Sequence, residues 1–524
     1  MITRHFIDVR DRDGSTRRVH YRRTGEGPPL LFVHQSPRSS AEYAELMARW
    51  AGHFTCIAPD SPGFGQSDPL PGTPEVEDFA DATIAFMDAI GLEKTAAYGF
   101  HSGAIILVTA LKRHPSRLVT LAAGGYAVWT PQEQAWFGER YLPPFQPQAY
   151  GEHLVWLWGR ILEQSWFFPW FDVRPETRLK MAHDDVPAVD AIVREMLDAG
   201  DAYRAGYGAV IRANRDVPSP EADTPPVLIV AYDGDPLQAH IDRLGVMPAN
   251  WHARKVGTPA DLEALALAHL RAATVPPCPA LAEATEQGFV AVNAAGFDGL
   301  IHWRGRRDAE RFVLHAPGGS CEVFDDGVAL AIDLPGHGLS DDWATSPAGI
   351  EAWSEVVTKA LAALGGRPAI VVGQGASLLL AARVAAHAKV GAIGGFDVHL
   401  PTVERSAGWA EAALPQLTPD RFGTYLLRAW GVTRARHFFW PWFEANAANA
   451  IPFDAAAISP ERLAREHREL IRARAGRALR AVLLALDREA ILRDAPPVGW
   501  LRMDAWAKHR ADVWKPARIT DWRT

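Results

Sequence analysis

The stretch Gly99-Phe100-His101-Ser102-Gly103 has the form G-x-Nu-x-G. Its small residues let a strand turn sharply into a helix and hold the central side chain out over the end of a sheet. The central residue is a histidine rather than Ser, Cys or Asp. A matching stretch, Gly373-Gln374-Gly375-Ala376-Ser377, carries glycine at its centre and no reactive side chain. Working outward, short apolar runs at 30–34, 55–59, 95–99, 118–123 and 227–232 alternate with helical patterns at 78–91 and 103–114. That alternation predicts a mostly parallel α/β sheet covered by helices. His34, Asp60, His101 and Asp235 each follow a predicted strand, so they are expected at one rim of the sheet, where reactive groups of such sheets collect.

The elbow is one of several ordered matches between two halves of the chain. Arg18-Val19-His20-Tyr21 corresponds to Leu300-Ile301-His302-Trp303, and Phe32-Val33-His34-Gln35 to Val313-Leu314-His315-Ala316. Asp60-Ser61-Pro62-Gly63-Phe64-Gly65 corresponds to Asp333-Leu334-Pro335-Gly336-His337-Gly338. Further on, Gly151-Glu152-His153-Leu154 falls on Gly423-Thr424-Tyr425-Leu426, and Phe168-Pro169-Trp170-Phe171 on Trp440-Pro441-Trp442-Phe443. A tandem duplication is the expectation. Val275-Pro276-Pro277-Cys278-Pro279 interrupts two helix-like stretches and is the linker candidate. The predicted domains are 1–272, with a helical lid at about 126–225, and 285–524, truncated and degenerate, with a lid at about 400–495. A last strand is predicted at Val498–Met503.

Length and composition fit this reading. A chain of 524 residues exceeds one ordinary core, and 48% hydrophobic with 22% charged residues is a globular balance. The net charge of −8 leaves no basic footprint for nucleic acid. Cys56, Cys278 and Cys321 lie far apart and form no CxxC pair, which argues against a disulfide framework and fits a reducing compartment. No apolar run reaches the roughly 18 residues of a bilayer span, and Met1–Asp8 lacks a signal-like apolar core, so a cytoplasmic protein without membrane partners is expected.

The His34–Pro37 turn, the Asp60–Gly65 turn, the elbow at 99–103 and the Tyr232-Asp233-Gly234-Asp235-Pro236 loop occur together in an order that resembles the α/β-hydrolase superfamily. The resemblance covers most of 1–272 and, more weakly, 285–524. It implies that His101 stands in the nucleophile's place and Asp235 in the acid's place. It also implies an oxyanion hole from the backbone N–H groups of Ser36 and Ser102, with His34 and Asp60 as supporting residues. The sequence departs from the family where the general-base histidine should follow the last strand, because Lys255-Val256-Gly257-Thr258-Pro259 offers none. His252 and His269 do not fit that place. A helix starting after His101 would disfavour an imidazolium, so a neutral ring acting as base or nucleophile is expected.

Two further candidates come from the lid. His153 is expected to hang over the pocket as a second acid/base, and Trp156, Trp166 and Phe167 are expected to line an apolar substrate site. No HxH or HExxH spacing supports a metal, and no cofactor is expected. The expected function is hydrolysis of a small, largely apolar or aromatic carbonyl-containing substrate, an ester or a C–C bond beside a carbonyl. A cofactor-independent lyase, isomerase or oxygenase using His101 as base, and a non-catalytic ligand-binding or scaffold protein, stand as the alternatives. A homo-oligomer is left open.

Overall fold

The structure, a computed structural model, describes all residues except 214–216, 281–285, 325–326, 503–509 and 515–524. By their contacts these divide into two units, Met1–Gln146 with Val155–Ala284, and Pro147–Leu154 with Thr285–Thr524.

The first unit runs β1 (Thr3–Arg10), β2 (Thr16–Thr24), β3 (Pro29–Val33), α1 (Ala44–Trp50), β4 (Thr55–Pro59), α2 (Val76–Ala89), β5 (Thr95–Phe100), α3 (Ser102–Arg113) and β6 (Leu118–Gly124). It continues with α4 (Pro131–Tyr141), α5 (Glu152–Gln164), α6 (Val186–Ala199), α7 (Tyr203–Arg212), β7 (Val227–Tyr232), β8 (Trp251–Val256) and α8 (Pro259–Arg271). Its eight strands lie in the order β1-β2-β4-β3-β5-β6-β7-β8. β2 pairs antiparallel with β1 and β4, and every later pairing is parallel. β3 and β4 are buried at all five positions, as strands covered on both faces must be. Alternation then splits them: Leu31 and Val33 join the core that holds Ile105 and Leu107 of α3, while Leu30 and Phe32 join Trp50 and Leu270 on the opposite face. Between them these two cores fix the sheet, and with it the direction in which the β5–α3 turn points.

The second unit runs β9 (Gln287–Ala294), β10 (Phe297–Gly305), β11 (Arg311–Leu314), β12 (Leu330–Ile332), α9 (Ile350–Ala363), β13 (Ile370–Gln374), α10 (Ser377–Ala388) and β14 (Ala392–Phe396). It ends with α11 (Ser406–Ala413), α12 (Thr424–Ala435), α13 (Pro460–Arg472), α14 (Gly476–Leu484), α15 (Arg488–Arg493) and β15 (Val498–Leu501). Met503, the end of the predicted last strand, lies outside the described residues. The seven strands are ordered β9-β10-β12-β11-β13-β14-β15, the same path as the first sheet without its eighth strand.

Equivalent hydrogen bonds recur in both units. His20 Nδ1 donates to Asp60 and His302 Nδ1 to Asp333, each at 2.8 Å. The Ser61 N–H donates to His34 Nε2 at 2.8 Å and the Leu334 N–H to His315 Nε2 at 2.9 Å. Trp170 Nε1 donates to Tyr141 O as Trp442 Nε1 does to Ala413 O.

Glu469 on α13 is buried, and that burial, followed by the neighbouring Glu322, pushes its carboxyl up to about 8 from an ordinary 4.5. The folded unit therefore holds this proton through a range where the unfolded chain has released it. The stability it contributes is full below pH 4.5 and is lost as pH rises through about 8. Glu469→Gln should raise the melting temperature by a few degrees at pH 9 and leave it unchanged at pH 4.5. Calorimetry at the two pH values checks this.

Candidate active site

The elbow forms as its sequence requires. β5 ends at Phe100, α3 begins at Ser102, and His101 between them is held at φ 47°, ψ −110°, a left-handed backbone that costs a residue with a Cβ about 1–3 kcal/mol. The turn is clamped by the His101 N–H donating to Gly124 O at 2.9 Å and the Ile105 N–H donating to His101 O at 3.1 Å. The matching turn has Gly375 at φ 56°, where no such cost arises.

The His101 ring is about one quarter exposed, and each edge of it is assigned. Nε2 lies 3.1 Å from Asp235 Oδ1, and Nδ1 lies 3.1 Å from Gln35 Oε1. One face stacks on Phe100, with centroids 4.1 Å apart. Cδ2 comes so close to Gly125 that a Cβ there would sit 2.3 Å from it, and 2.7 Å from Asp235 Oδ2. Only glycine fits at 125. The Asp235 carboxylate is fully buried, and its Oδ1 also accepts the Leu237 N–H at 2.8 Å.

Gln35 cannot turn its amide around. Its Nε2 donates to Glu42 Oε2 at 3.1 Å and its backbone N–H to Glu42 Oε1 at 2.9 Å, so Oε1 is the atom left for His101. Both ring nitrogens thus face acceptor oxygens, while a neutral imidazole donates through one nitrogen only. The neutral ring expected from the sequence satisfies one of these contacts beside a carboxylate.

Glu42 also lies 3.8 Å from Arg38, which pairs with Glu195 of α6; Glu195 further accepts from Ser39 Oγ at 2.7 Å. Burial pushes the carboxyls of Glu42 and Glu195 up, against the pull of Arg38. α6 is thereby bound to the turn that carries Gln35.

Beside His101 is a cavity of about 60 Å³, room for about four water-sized groups. Ser36, His101 and Ser102 form its polar end. Trp129, Phe137, Tyr141, Phe168 and Tyr207 form much of the apolar wall, packed edge to face in several pairs such as Trp129–Phe137 at 4.8 Å and Tyr141–Tyr207 at 5.4 Å. The Ser102 N–H, at the first residue of α3, has no acceptor within the helix. The Ser36 N–H donates to Ser102 Oγ at 3.2 Å, so of the two amides expected to form an oxyanion hole, one is committed to that hydroxyl.

Other expectations are corrected. His153 does not overhang the cavity: it packs edge to face on Trp430 at 5.0 Å within the second unit, its Nδ1 accepts the Gln148 N–H, and burial lowers it to about 4. Trp156, Trp166 and Phe167 do not line the cavity. Trp156 packs against Phe145 and Trp170 under the Arg160 guanidinium, and Trp166 Nε1 donates to His183 O at 2.9 Å. Phe167 pairs its backbone with Arg178. The walls come instead from α4, which breaks at Gly138 between Phe137 and Tyr141, and from α7, whose i, i+4 pair Tyr207/Ile211 is readable as an apolar stripe.

His34 and Asp60 do not line the cavity and brace the turns that carry them. His34 is braced through both ring nitrogens by Gln35 O and the Ser61 N–H, and Asp60 accepts from His20, Ser40 and Gln66. Burial works to raise the Asp60 carboxyl, but His20 and its hydrogen bonds hold it well below the carboxylate range. His269 donates to or accepts from Thr120 at 2.8 Å, away from the elbow. Among the described residues one cluster has metal-ligand composition, His302, Cys321 and Asp333. Its Asp333 oxygens already accept from His302, Cys321 and Leu339, the same bracing seen around Asp60.

The eight-strand order, the tight turn after β5 and the aspartate after β7 define one class. Residues 28–237 match the family described as alpha/beta hydrolase fold, and the first unit belongs to it. The chain is similar to haloalkane dehalogenase 2 of Mycobacterium tuberculosis, 30% identical over 118 residues, covering 22% of this chain and 41% of the relative. It is also similar to a haloalkane dehalogenase of Sphingobium indicum, 32% identical over 207 residues, covering 38% and 64%. A 2-(acetamidomethylene)succinate hydrolase of Mesorhizobium japonicum is 36% identical over 119 residues, 23% of this chain and 42% of that one. The chain thus spans about two fifths of the length of the first curated relatives it matches. Among solved structures, an esterase from Thermogutta terrifontis covers 49% of this chain and 89% of its own, at 19% identity and a TM-score of 0.36. Among the described residues no helix is long and apolar enough to cross a membrane.

Proposed function

We propose that the first unit is a hydrolase of small, largely apolar carbonyl compounds, and that His101 with Asp235 acts as a general base on water rather than as a covalent nucleophile. The observation that carries this is the seating of the ring, with Nε2 on the buried Asp235 carboxylate and Nδ1 on a neutral amide. A carboxylate holds an N–H more strongly than an amide oxygen does, so Nε2 keeps its proton and Nδ1 is the nitrogen that exchanges one. A water in the cavity beside Nδ1, with the fixed Gln35 Oε1 as acceptor for one of its protons, gives the other proton to Nδ1 while its oxygen bonds to the substrate carbonyl carbon. The resulting oxyanion is met by the Ser102 N–H at the start of α3. Collapse breaks the bond to the leaving group, which takes the proton back from Nδ1. The hydrolase name of one relative supports the reaction class, and the small aromatic-walled cavity supports the substrate class. The tandem duplication, with 1–272 as the catalytic copy and 285–524 as a copy without a reactive apex, belongs to the same proposal; Gly375 supports it.

The test is turnover of short-chain esters and β-diketones in ¹⁸O-labelled water. One labelled oxygen in the acid product is expected. Turnover without label would assign the site to proton abstraction from carbon, and no turnover across the panel would leave a binding protein.

A further inference from the structure

A second, larger cavity lies in the same unit as the His101 cavity, and one side chain belongs to both. The cleft, of about 780 Å³, is bounded by the loop carrying Leu70, by Gln134 and Leu142, and by Arg204 of α7. Ile211 lines this cleft and also the small cavity beside His101. On α4, which breaks at Gly138 (φ 32°, ψ −136°), Gln134 and Gly138 line the cleft while Phe137 and Tyr141 line the cavity. On α7, Arg204 and Gly208 face the cleft and Tyr207 faces the cavity. The two helices form a wall between the two spaces, and Ile211, placed where the two stripes of α7 meet, closes it with a side chain that is 8% exposed.

We infer that Ile211 sets the upper size of the substrate by separating the reacting cavity from the cleft. This rests on the hydrolase reading and narrows it. The cavity's roughly 60 Å³ admits a carbonyl with only a few attached heavy atoms, whereas the cleft has room for a long chain. The preferred substrates are short-chain carbonyl compounds, and the cleft is barred to the acyl chain of a substrate bound at His101 so long as Ile211 stands. The wall is of side-chain thickness at this point. Truncating Ile211 removes it without touching the elbow, Asp235 or Gln35.

The experiment uses the full chain and two matched series. Methyl ketones from butanone to 2-nonanone carry the carbonyl but no cleavable ester, and their binding is measured by titration calorimetry. Methyl esters of the same chain lengths are followed for turnover. In the parent, ketone affinity should stop rising after the shortest members. In Ile211→Ala it should keep rising by roughly fourfold per added methylene, the increment of a buried CH₂. Leu142→Ala, which opens only the cleft, should leave the parent's limit in place. Circular dichroism and melting temperature confirm that each variant is folded, and Ile211→Val supplies an intermediate limit should the alanine variant fail to fold.

The same limit in parent and Ile211→Ala overturns the inference, as does an equal shift in Leu142→Ala. A shift in ketone binding with no ester turnover in any variant would sustain the partition and defeat the hydrolase reading. Ester turnover with an unmoved limit would do the reverse.

Discussion

Replacing His101 by glycine is expected to abolish turnover and to lower stability, and adding Asp235→Asn is expected to restore the stability without the activity. Three terms compete. Glycine relieves a φ 47° backbone, a gain of about 1–3 kcal/mol, offset by about 1 kcal/mol for glycine's greater freedom in the unfolded chain. Against this, the single change takes away the ring that faces a fully buried carboxylate, and an orphaned buried charge costs about 3–5 kcal/mol. The third term dominates, so His101→Gly is destabilised by a few kcal/mol. In the double variant the introduced amide carries no charge to orphan, the Leu237 N–H retains its acceptor, and the relief of strain remains. Urea melts of the parent, both single variants and the double variant measure the coupling. Equal effects in isolation and in combination would show that the two side chains do not share a proton.

The second large effect is on the rate. Asp235→Asn keeps the shape of the side chain and an acceptor near Nε2, but removes the negative charge that stabilises the imidazolium formed when Nδ1 takes a proton. A fall in kcat of about 10³–10⁴ is expected, with KM little changed, because the charge matters only once the ring is cationic. Gln35→Leu should behave differently. It removes the oxygen beside Nδ1 without changing the anchor on Nε2, so kcat should move by less than tenfold. ¹⁵N spectra of the histidine rings, with His101→Gly identifying the signal, would show the proton on Nε2 in both the parent and Gln35→Leu. A loss of similar size in Gln35→Leu and Asp235→Asn would make Nδ1 the wrong choice of base.

Much of this site is local in sequence and was readable there. Gly99, His101 and Gly103 sit within five residues, and the runs at 55–59 and 227–232 are strands with those bounds. Asp235 follows its strand closely, so placing the strand places its carboxylate. What escaped depends on contacts between distant segments. Gln35 is an ordinary turn residue until Glu42 orients its amide. The dense aromatic run from Trp156 to Phe171 suggested a substrate wall, but Trp156 and Arg160 share a face of α5 that packs against Trp170. The walls belong to α4 and α7, where aromatic residues are sparser and their periodicity matters more than their number. His153 sits in sequence beside lid residues and in space beside Trp430, and only its neighbours in three dimensions decide its role.

The allegiance of residues 147–154 has a practical consequence for dissecting the chain. This short excursion leaves its own half to lodge His153 against Trp430, whose Nε1 donates to Ala149 O, before the polypeptide returns at Val155. Cutting at the proline-rich connector would therefore not release two intact pieces. Each fragment would carry a defect, a stranded octapeptide in one and a vacated socket around Trp430 in the other. Separate expression should give aggregation or mutual complementation on mixing rather than two well-behaved proteins.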